Sequence, residues 1–213
     1  MEKEHSQIIL NKILAAAQKR FGHYGLSKTT MNDIADDIGM SKASLYYYFK
    51  DKENIYKAVV EKEQNYFVQE MKKIIQSPNK AEWMLIEYVR LRLELLKELL
   101  SLGKFTQGSY QDFRPLIQSL LADFRKKEMS MVSEILKLGV TKKEFAIENI
   151  KKHSEFFLDT LRAIRLLILA DVGMTEISKE KYLKINQQTK MFTELFIKGI
   201  KINNNGGEKE KQK

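Results

Sequence analysis

The sequence predicts an all-α fold from three observations. The chain of 213 residues contains only two prolines, so few positions interrupt backbone hydrogen bonding. Leu, Ile, Lys and Glu are abundant and no segment is typical of a strand-rich domain. Helix start signals and glycine stop signals also recur along the chain. We therefore expect the elements of the chain to be α-helices.

The most informative segment begins at Thr30. Thr30 and Asp33 fit a capping box, in which the hydroxyl and the carboxylate satisfy free amides at a helix start. Gly39 has the backbone freedom to end that helix in a sharp turn. Ser41 is a natural N-cap for a second short helix, which Leu45 anchors through one buried face. A helix, a tight turn and a second helix with small or polar N-terminal residues predict a helix-turn-helix unit that enters the major groove.

An ordinary helical hairpin is the alternative interpretation of this segment. Only one or two of the three consecutive tyrosines at 46–48 can face a core, and Lys42, Lys50 and Lys52 lie beside them. This combination favours DNA binding over the hairpin.

The segment resembles the TetR family of one-component bacterial transcription regulators over about the first quarter of the chain. The positions that carry the resemblance are Ile13, Leu14, Ala16, Ala17, Phe21, Gly25, Thr29, Thr30, Ile34, Ala35, Gly39, Ser41, Lys42, Leu45, Tyr46, Tyr48, Phe49, Lys52 and Glu53. Three positions depart from the family pattern, namely Arg20, Ile38 and Ala43. None of the three removes a critical glycine or a basic contact.

The resemblance implies two groups of DNA contacts. Thr30, Ser41, Tyr46, Tyr48 and Lys52 would hold the phosphate backbone, which positions the protein. Lys42, Ala43, Ser44 and Tyr47 would approach base edges. Lys50 and Lys52 also lie at the start of the next helix, where free amides form an anion site that a phosphate would fill. A solvated surface lysine is the alternative for Lys52.

Composition agrees with a nucleic-acid partner but does not locate it. The net charge is +9 and the sequence pI is about 9.4, yet residues 1–60 hold nine Lys or Arg against seven Asp or Glu. Cysteine is absent, which excludes disulfides and thiolate metal sites. The N-terminus lacks the apolar region of a secretory signal, and no apolar stretch approaches a membrane span. We expect a soluble, cytoplasmic protein without cofactor or metal.

The sequence divides into a DNA-binding domain at 1–50, an effector-binding and dimerisation domain at 51–202, and a disordered tail at 203–213. Pro78 ends the connecting helix, Gly139 ends a later one, and Thr141 with Glu144 forms another capping box. The predicted helices are a connecting helix at 51–75, then 80–102, 114–138, 141–171 and 179–202. The segment at 103–112 is predicted to be loop-like or only briefly helical.

The last two predicted helices carry more apolar surface than one hairpin can bury, which indicates a partner chain. In the family that the chain resembles, these helices form a four-helix dimer interface. The candidate interface residues are Phe157, Leu161, Ile164, Ile168, Ile185, Phe192 and Phe196. A homodimer would place its reading helices about 34–36 Å apart and would select a palindromic double-stranded DNA operator.

The resemblance also implies a small-molecule effector pocket in the central helices, with an apolar or amphipathic ligand. Candidate lining residues are Trp83, Tyr110, Phe113, Phe124, Met131, Phe156 and Arg162. For each of them, a place in the core or on the surface is the alternative. We expect a repressor that the effector releases, and activation stays open because the sequence does not encode the operator position.

Two other function classes remain as alternatives. An enzyme is disfavoured because His5, His23 and His153 are scattered and no catalytic motif stands out. A nonspecific architectural DNA binder would not need a C-terminal domain of this size.

Overall fold

The computed structural model describes residues 2–102, 107–169 and 178–202. In these ranges the chain forms eight α-helices, which confirms the predicted all-α fold. The helices are α1 (Glu2–Lys28), α2 (Met31–Asp37), α3 (Lys42–Tyr48), α4 (Lys52–Ile75), α5 (Ala81–Leu102), α6 (Gln107–Thr141), α7 (Ile150–Leu169) and α8 (Lys179–Ile200). Gly25 breaks α1 near its end with φ 77°. None of these helices is long and apolar enough to cross a membrane.

Two hydrophobic clusters organise the molecule. The first, here called the head cluster, joins α1, α2 and α3 to the first half of α4 around Phe21, Leu45 and Ile55. The second, the body cluster, joins the second half of α4 to α5, α6, α7 and α8 around Tyr88 and Phe157. Helix α4 therefore contributes to both cores.

Helices α5 and α6 also reach the head cluster. Leu102 at the end of α5 and Leu120 on α6 are buried in it, and Phe113, Leu116 and Ile117 are packed against it. The helix predicted to begin at about Arg114 begins at Gln107, so the loop-like interpretation is wrong for 107–112. Residues 103–106 lie outside the described ranges.

The predicted helix end at Gly139 and helix start at Thr141 are both wrong. Helix α6 continues to Thr141, and α7 begins only at Ile150. A Cβ on Gly139 would lie 2.1 Å from the ring of Phe145, so this glycine makes room for an aromatic side chain. The chain turns just after Thr141, where Lys143 has φ 58° and the Glu144 amide donates to the Gly139 carbonyl at 2.8 Å.

The connection between α6 and α7 is tied to the end of the last helix. The Ala146 amide donates to the Ile200 carbonyl at 2.8 Å, and the Ile202 amide donates to the Glu144 carbonyl at 3.0 Å. The predicted end of the 141–171 helix lies outside the described residues. The predicted disordered tail at 203–213 lies outside them as well.

Candidate nucleic-acid interface

The turn between α2 and α3 forms as the sequence predicts. The Thr30 side chain accepts from the Asp33 amide at 3.2 Å, and the Asp33 carboxylate accepts from the Thr30 amide at 2.8 Å. This is the complete capping box. Gly39 has φ 63°, a left-handed conformation that a side chain rarely adopts. The Thr30 hydroxyl also donates to Asp33, so it is engaged within the head.

Helix α3 presents its N-terminal half to the outside. Ser41 caps the helix by accepting from the Ser44 amide at 3.1 Å, and the two hydroxyls lie 2.8 Å apart. Leu45 is fully buried and holds the helix on the head cluster. The candidate base-edge residues Lys42, Ala43, Ser44 and Tyr47 are all exposed.

The three tyrosines differ in exposure. Tyr47 is 85% exposed and Tyr46 is 46% exposed, whereas Tyr48 is half-buried against the head cluster. The Tyr47 and Tyr48 rings meet edge to face at 5.3 Å, and the Lys42 ammonium lies 5.9 Å from the Tyr46 ring centroid. Because Tyr47 contributes almost nothing to the core, its side chain is available to a partner.

Lys52 has a role that sequence reasoning missed. Its ammonium donates to the carbonyls of Leu26 at 3.0 Å, Ser27 at 3.2 Å and Thr29 at 3.1 Å. These carbonyls lie at and just beyond the end of α1, after the break at Gly25, where helix carbonyls need partners. Lys52 thus ties the start of α4 to the end of α1. All three of its donors are engaged in this way.

Arg20, which departs from the family pattern, joins α1 to α2. Its guanidinium donates two parallel hydrogen bonds to Asp37, each 2.6 Å long, and lies 3.8 Å from Asp33. The hydrogen bond from Arg20 lowers the pKa of the Asp37 carboxyl. The hydrogen bonds from Thr30 lower the pKa of the Asp33 carboxyl. Both carboxylates are therefore held in the charged form.

The head matches a known protein family, and the whole chain is similar to solved structures. Residues 13–59, from α1 into α4, match the model of bacterial regulatory proteins of the tetR family. A crystal structure of a transcriptional regulator from Cytophaga hutchinsonii is 40% identical, covers 91% of this chain and 98% of its own, and superposes with a TM-score of 0.83. The chain belongs to the TetR family. The relatives are regulators, so the enzyme alternative is set aside.

Other relatives of this TetR-family protein match a shorter part of the chain or have a lower sequence identity. The biofilm operon regulator IcaR of Staphylococcus epidermidis is 41% identical over 58 residues, 27% of this chain and 31% of IcaR. Matches to the first curated relatives span between 31% and 60% of their length. A TetR/AcrR-family regulator from Thermobifida fusca is 19% identical, with coverage of 89% and 97% and a TM-score of 0.64, and so shares the fold.

The candidate interface residues of this TetR-family protein fall into two groups. Phe157, Ile185 and Phe196 are buried in the body cluster, so they support the protomer core. Leu161, Ile164, Ile168 and Phe192 are half-buried. The large apolar side chains exposed on α7 and α8 are Phe156, Leu166, Leu167, Leu183, Met191 and Leu195. The sequence periodicity therefore selected three residues that are covered within the protomer, and it did not select the most exposed apolar side chains of α7 and α8.

The candidate effector residues are dispersed in the structure. Phe124 and Met131 are buried in the body cluster, whereas Trp83 is 39% exposed and Phe156 is 59% exposed. Arg162 is exposed as well. Phe113 is half-buried against the head cluster, and the Tyr110 side chain lies outside what the structure describes.

The body of this TetR-family protein contains charged groups that sequence reasoning passed over. Tyr88 and Glu128 are buried and hydrogen-bonded at 2.8 Å, and Arg92 donates to the same Glu128 oxygen. Arg165 on α7 lies within electrostatic range of this group. The available signal was the position of Arg92 and Arg165 within leucine-rich helix segments, where a charged residue needs an explanation.

Proposed function

We propose that this TetR-family protein is a sequence-specific DNA-binding transcriptional regulator that acts as a homodimeric repressor in the cytoplasm. The observation that carries the proposal is the exposed N-terminal half of α3, which Ser41 caps and the buried Leu45 fixes on the head. A short helix that is anchored by a buried leucine and has its N-terminal residues exposed suits insertion into the major groove. IcaR is named a negative transcriptional regulator, which supports repression.

Base readout is assigned to the exposed surface of α3. Lys42 can donate to guanine acceptors, Ala43 can contact a thymine methyl, and Ser44 and Tyr47 can hydrogen-bond to base edges. Their exposure supports this assignment. Backbone contacts are assigned to Thr30, Ser41, Tyr46, Tyr48 and Lys52. For Lys52, the three carbonyl hydrogen bonds support a structural role in addition.

Dimerisation through α7 and α8 is supported by the exposed apolar side chains on these helices. Phe156 packs next to Phe192 with ring centroids 6.1 Å apart, which joins the two helices in one apolar surface. Leu167 on α7 is 75% exposed, and Leu195 on α8 is 62% exposed. Clustered exposed apolar side chains mark protein interaction sites. A twofold dimer would pair this surface with its own copy and would require a palindromic operator.

Release from the operator is assigned to a small apolar or amphipathic effector bound in the body. Such a ligand shifts the equilibrium only by its difference in affinity between the DNA-bound and released conformations. Helices α4 and α6 contribute to both hydrophobic clusters, which supports a mechanical link between body and head.

The experiment is a fluorescence-anisotropy titration of a labelled duplex from upstream of the protein's own gene against a scrambled duplex, at two salt concentrations. Tyr47→Ala is expected to weaken binding to the upstream duplex by about 1–3 kcal/mol and to leave binding to the scrambled duplex unchanged. Tyr66→Ala is the matched control, because Tyr66 is 61% exposed but lies on α4, in the stretch between the head and body clusters. Equal salt-sensitive binding to both duplexes would favour an architectural role.

Sedimentation velocity measures the fraction of dimer and so tests the proposed interface on α7 and α8. Leu167→Glu places a charge on the proposed interface and is expected to shift the protein toward monomer. Ile86→Glu is the control, because Ile86 is 44% exposed on α5, outside the interface helices. Equal dimer populations in both variants and in the native protein would exclude this surface as the interface.

A further inference from the structure

A cleft between α4 and α6 is lined by polar side chains that the proposed function leaves unused. The cleft has a volume of about 320 Å³, which is within the range of small-ligand sites. Its lining extends from Lys57 to Asn65 on α4 and from Leu116 to Lys127 on α6. The lining residues follow helical spacing on both helices, so one face of each helix borders the cleft. This space is called the α4–α6 cleft below.

The α4–α6 cleft lies where the two hydrophobic clusters meet. On α4 the last residue of the head cluster is Val60 and the first buried residue of the body cluster is Phe67, with the lining residue Gln64 between them. On α6 Leu120 belongs to the head cluster and Phe124 belongs to the body cluster. A ligand in the cleft therefore contacts both helices at the junction of head and body.

Gln64 is a buried amide with an unmet hydrogen-bond requirement. It is 3% exposed, and its Nε2 has no hydrogen-bond partner within residues 2–102, 107–169 and 178–202. A buried donor without an acceptor is costly, and native structures contain few of them. The last side-chain torsion of glutamine is broad, so rotation of the amide turns its N–H groups toward the cleft that Gln64 lines. The cleft thus contains a donor that needs an acceptor.

Lys127 adds a cation to the same end of the cleft. Its ammonium donates to Oδ1 of Asn65, the neighbour of Gln64, at 3.3 Å. In the part of the chain that the structure describes, Lys127 forms no ion pair with a carboxylate. An ionised carboxylate is the acceptor that suits both groups, because hydrogen bonds to charged partners are the strong ones.

Two carboxylates line the cleft on the side of the head. Glu61 and Asp123 each precede the donor on their own helix by three or four residues, which corresponds to about 4.5–6 Å along the axis. Lys57 lies 3.8 Å from Glu61, and Lys126 lies 3.1 Å from Asp123. Both carboxylates can accept further hydrogen bonds from a hydroxyl or an ammonium group. They repel a ligand that carries several negative charges.

We propose that the α4–α6 cleft binds a small monocarboxylate that carries a hydroxyl or an ammonium group about 5 Å from its carboxylate. The carboxylate accepts from Gln64 Nε2 and from the Lys127 ammonium, and the second group donates to Glu61 or Asp123. The described lining residues are not among the effector candidates predicted from the sequence. The cleft therefore adds a polar ligand to the amphipathic effector, and the effect of that ligand on DNA rests on the proposed function.

The test uses the full-length protein and probes of four carbons that differ in their end groups. The probes are 4-aminobutyrate, 4-hydroxybutyrate, butyrate, butylamine and 1,4-butanediol, and calorimetric titration measures their affinities. The first two are expected to bind at least about tenfold more tightly than butylamine and butanediol, with butyrate between them. Equal affinities across the series, or no binding of any carboxylate, would overturn the proposal.

Two variants connect the affinity to the cleft. Gln64→Met and Lys127→Met are each expected to bind 4-aminobutyrate about tenfold more weakly than the native protein does. Gln69→Met and Lys137→Met are the matched controls, because both residues are exposed on the same two helices and lie outside the lining. Native affinity in Gln64→Met, or an equal loss in the controls, would show that the probe binds elsewhere.

The ligand-free Gln64→Met variant gives an independent outcome. It removes a donor that has no acceptor and keeps an unbranched side chain of similar length, so its thermal unfolding midpoint is expected to equal or exceed the native one. A lower midpoint would show that the amide already has a partner in the ligand-free protein, and the proposal would fail.

Operator titration separates this proposal from the proposed function. If 4-aminobutyrate binds through Gln64 but the protein does not bind its operator, the regulator assignment fails and the ligand site stands. If the operator is bound but no carboxylate binds, the regulator assignment stands and the ligand site is wrong.

Discussion

Replacing Lys52 with methionine separates two roles of one lysine. The Lys52 ammonium donates to three backbone carbonyls at the end of α1, at 3.0–3.2 Å. Hydrogen bonds that involve a charged group contribute about 1.5–3 kcal/mol each, but the three bonds share one ammonium on a half-buried side chain, so their loss is smaller than the sum. Lys52→Met keeps most of the aliphatic chain and is expected to lower the free energy of unfolding by about 2 kcal/mol.

Urea unfolding followed by circular dichroism measures this loss. Lys62→Met is the matched control, because Lys62 is exposed on the same helix and no carbonyl cluster engages it in the described part of the chain. The control is expected to match the native protein within about 0.5 kcal/mol.

The salt dependence of operator binding then distinguishes the tie between helices from a phosphate contact. A lysine that contacts phosphate changes the slope of log affinity against log salt by about one when it is removed. A lysine that only holds the head together lowers the fraction of competent protein and leaves the slope unchanged. Native-like stability together with a reduced slope would refute the structural role and support the phosphate contact.

Two further predictions concern the ends of helices. Gly139→Ala is expected to lower the free energy of unfolding by about 1–3 kcal/mol, because the added Cβ would lie 2.1 Å from the Phe145 ring. Gly22→Ala is the control and is expected to raise the free energy of unfolding by up to about 1 kcal/mol, because a Cβ there would meet no atom within 4 Å. Equal urea midpoints for the two variants would contradict the packing argument. The lowered pKa of Asp37 stabilises the head above the ordinary aspartate range, and this contribution is lost as pH falls through about 4 toward the lowered value. Arg20→Gln is expected to flatten that decline in a urea series across pH, and an unchanged decline would show that the Arg20 pair is not its source.

Local chemistry explains why the helix-turn-helix was predictable from the sequence. The Thr30 capping box, the left-handed Gly39 and the Ser41 cap each depend on residues within a few positions of one another. The Asp51 cap that starts α4 is equally local, and its carboxylate accepts from the Asn54 amide at 2.8 Å. Signals of this kind are complete in the sequence, because both partners lie in one short stretch.

The errors arise where the deciding partner is distant or unexpected. Gly139 suggested a helix end, but its function is to admit the ring of Phe145 from the following connection. The phosphate contact predicted for Lys52 stays a prediction, but the sequence did not show that its ammonium donates to main-chain carbonyls 23–26 residues earlier. Periodicity also predicted Phe157 to lie in a dimer interface, although Phe157 is fully buried in the protomer. Tertiary packing overrides a local signal in each case, and a single sequence does not contain that packing.

Helices α4 and α6 connect the body to the head that carries the reading helix. Glu128 lies on α6, and two turns earlier the same helix places Leu120 in the head cluster. Because α6 contributes to both hydrophobic clusters, a displacement of this helix in the body would also move its residues in the head. The connecting helix α4 supplies a second path through Phe67, which contacts Tyr88. Because both helices contribute to both clusters, we expect a ligand bound in the body to shift the reading helix through α4, α6 or both.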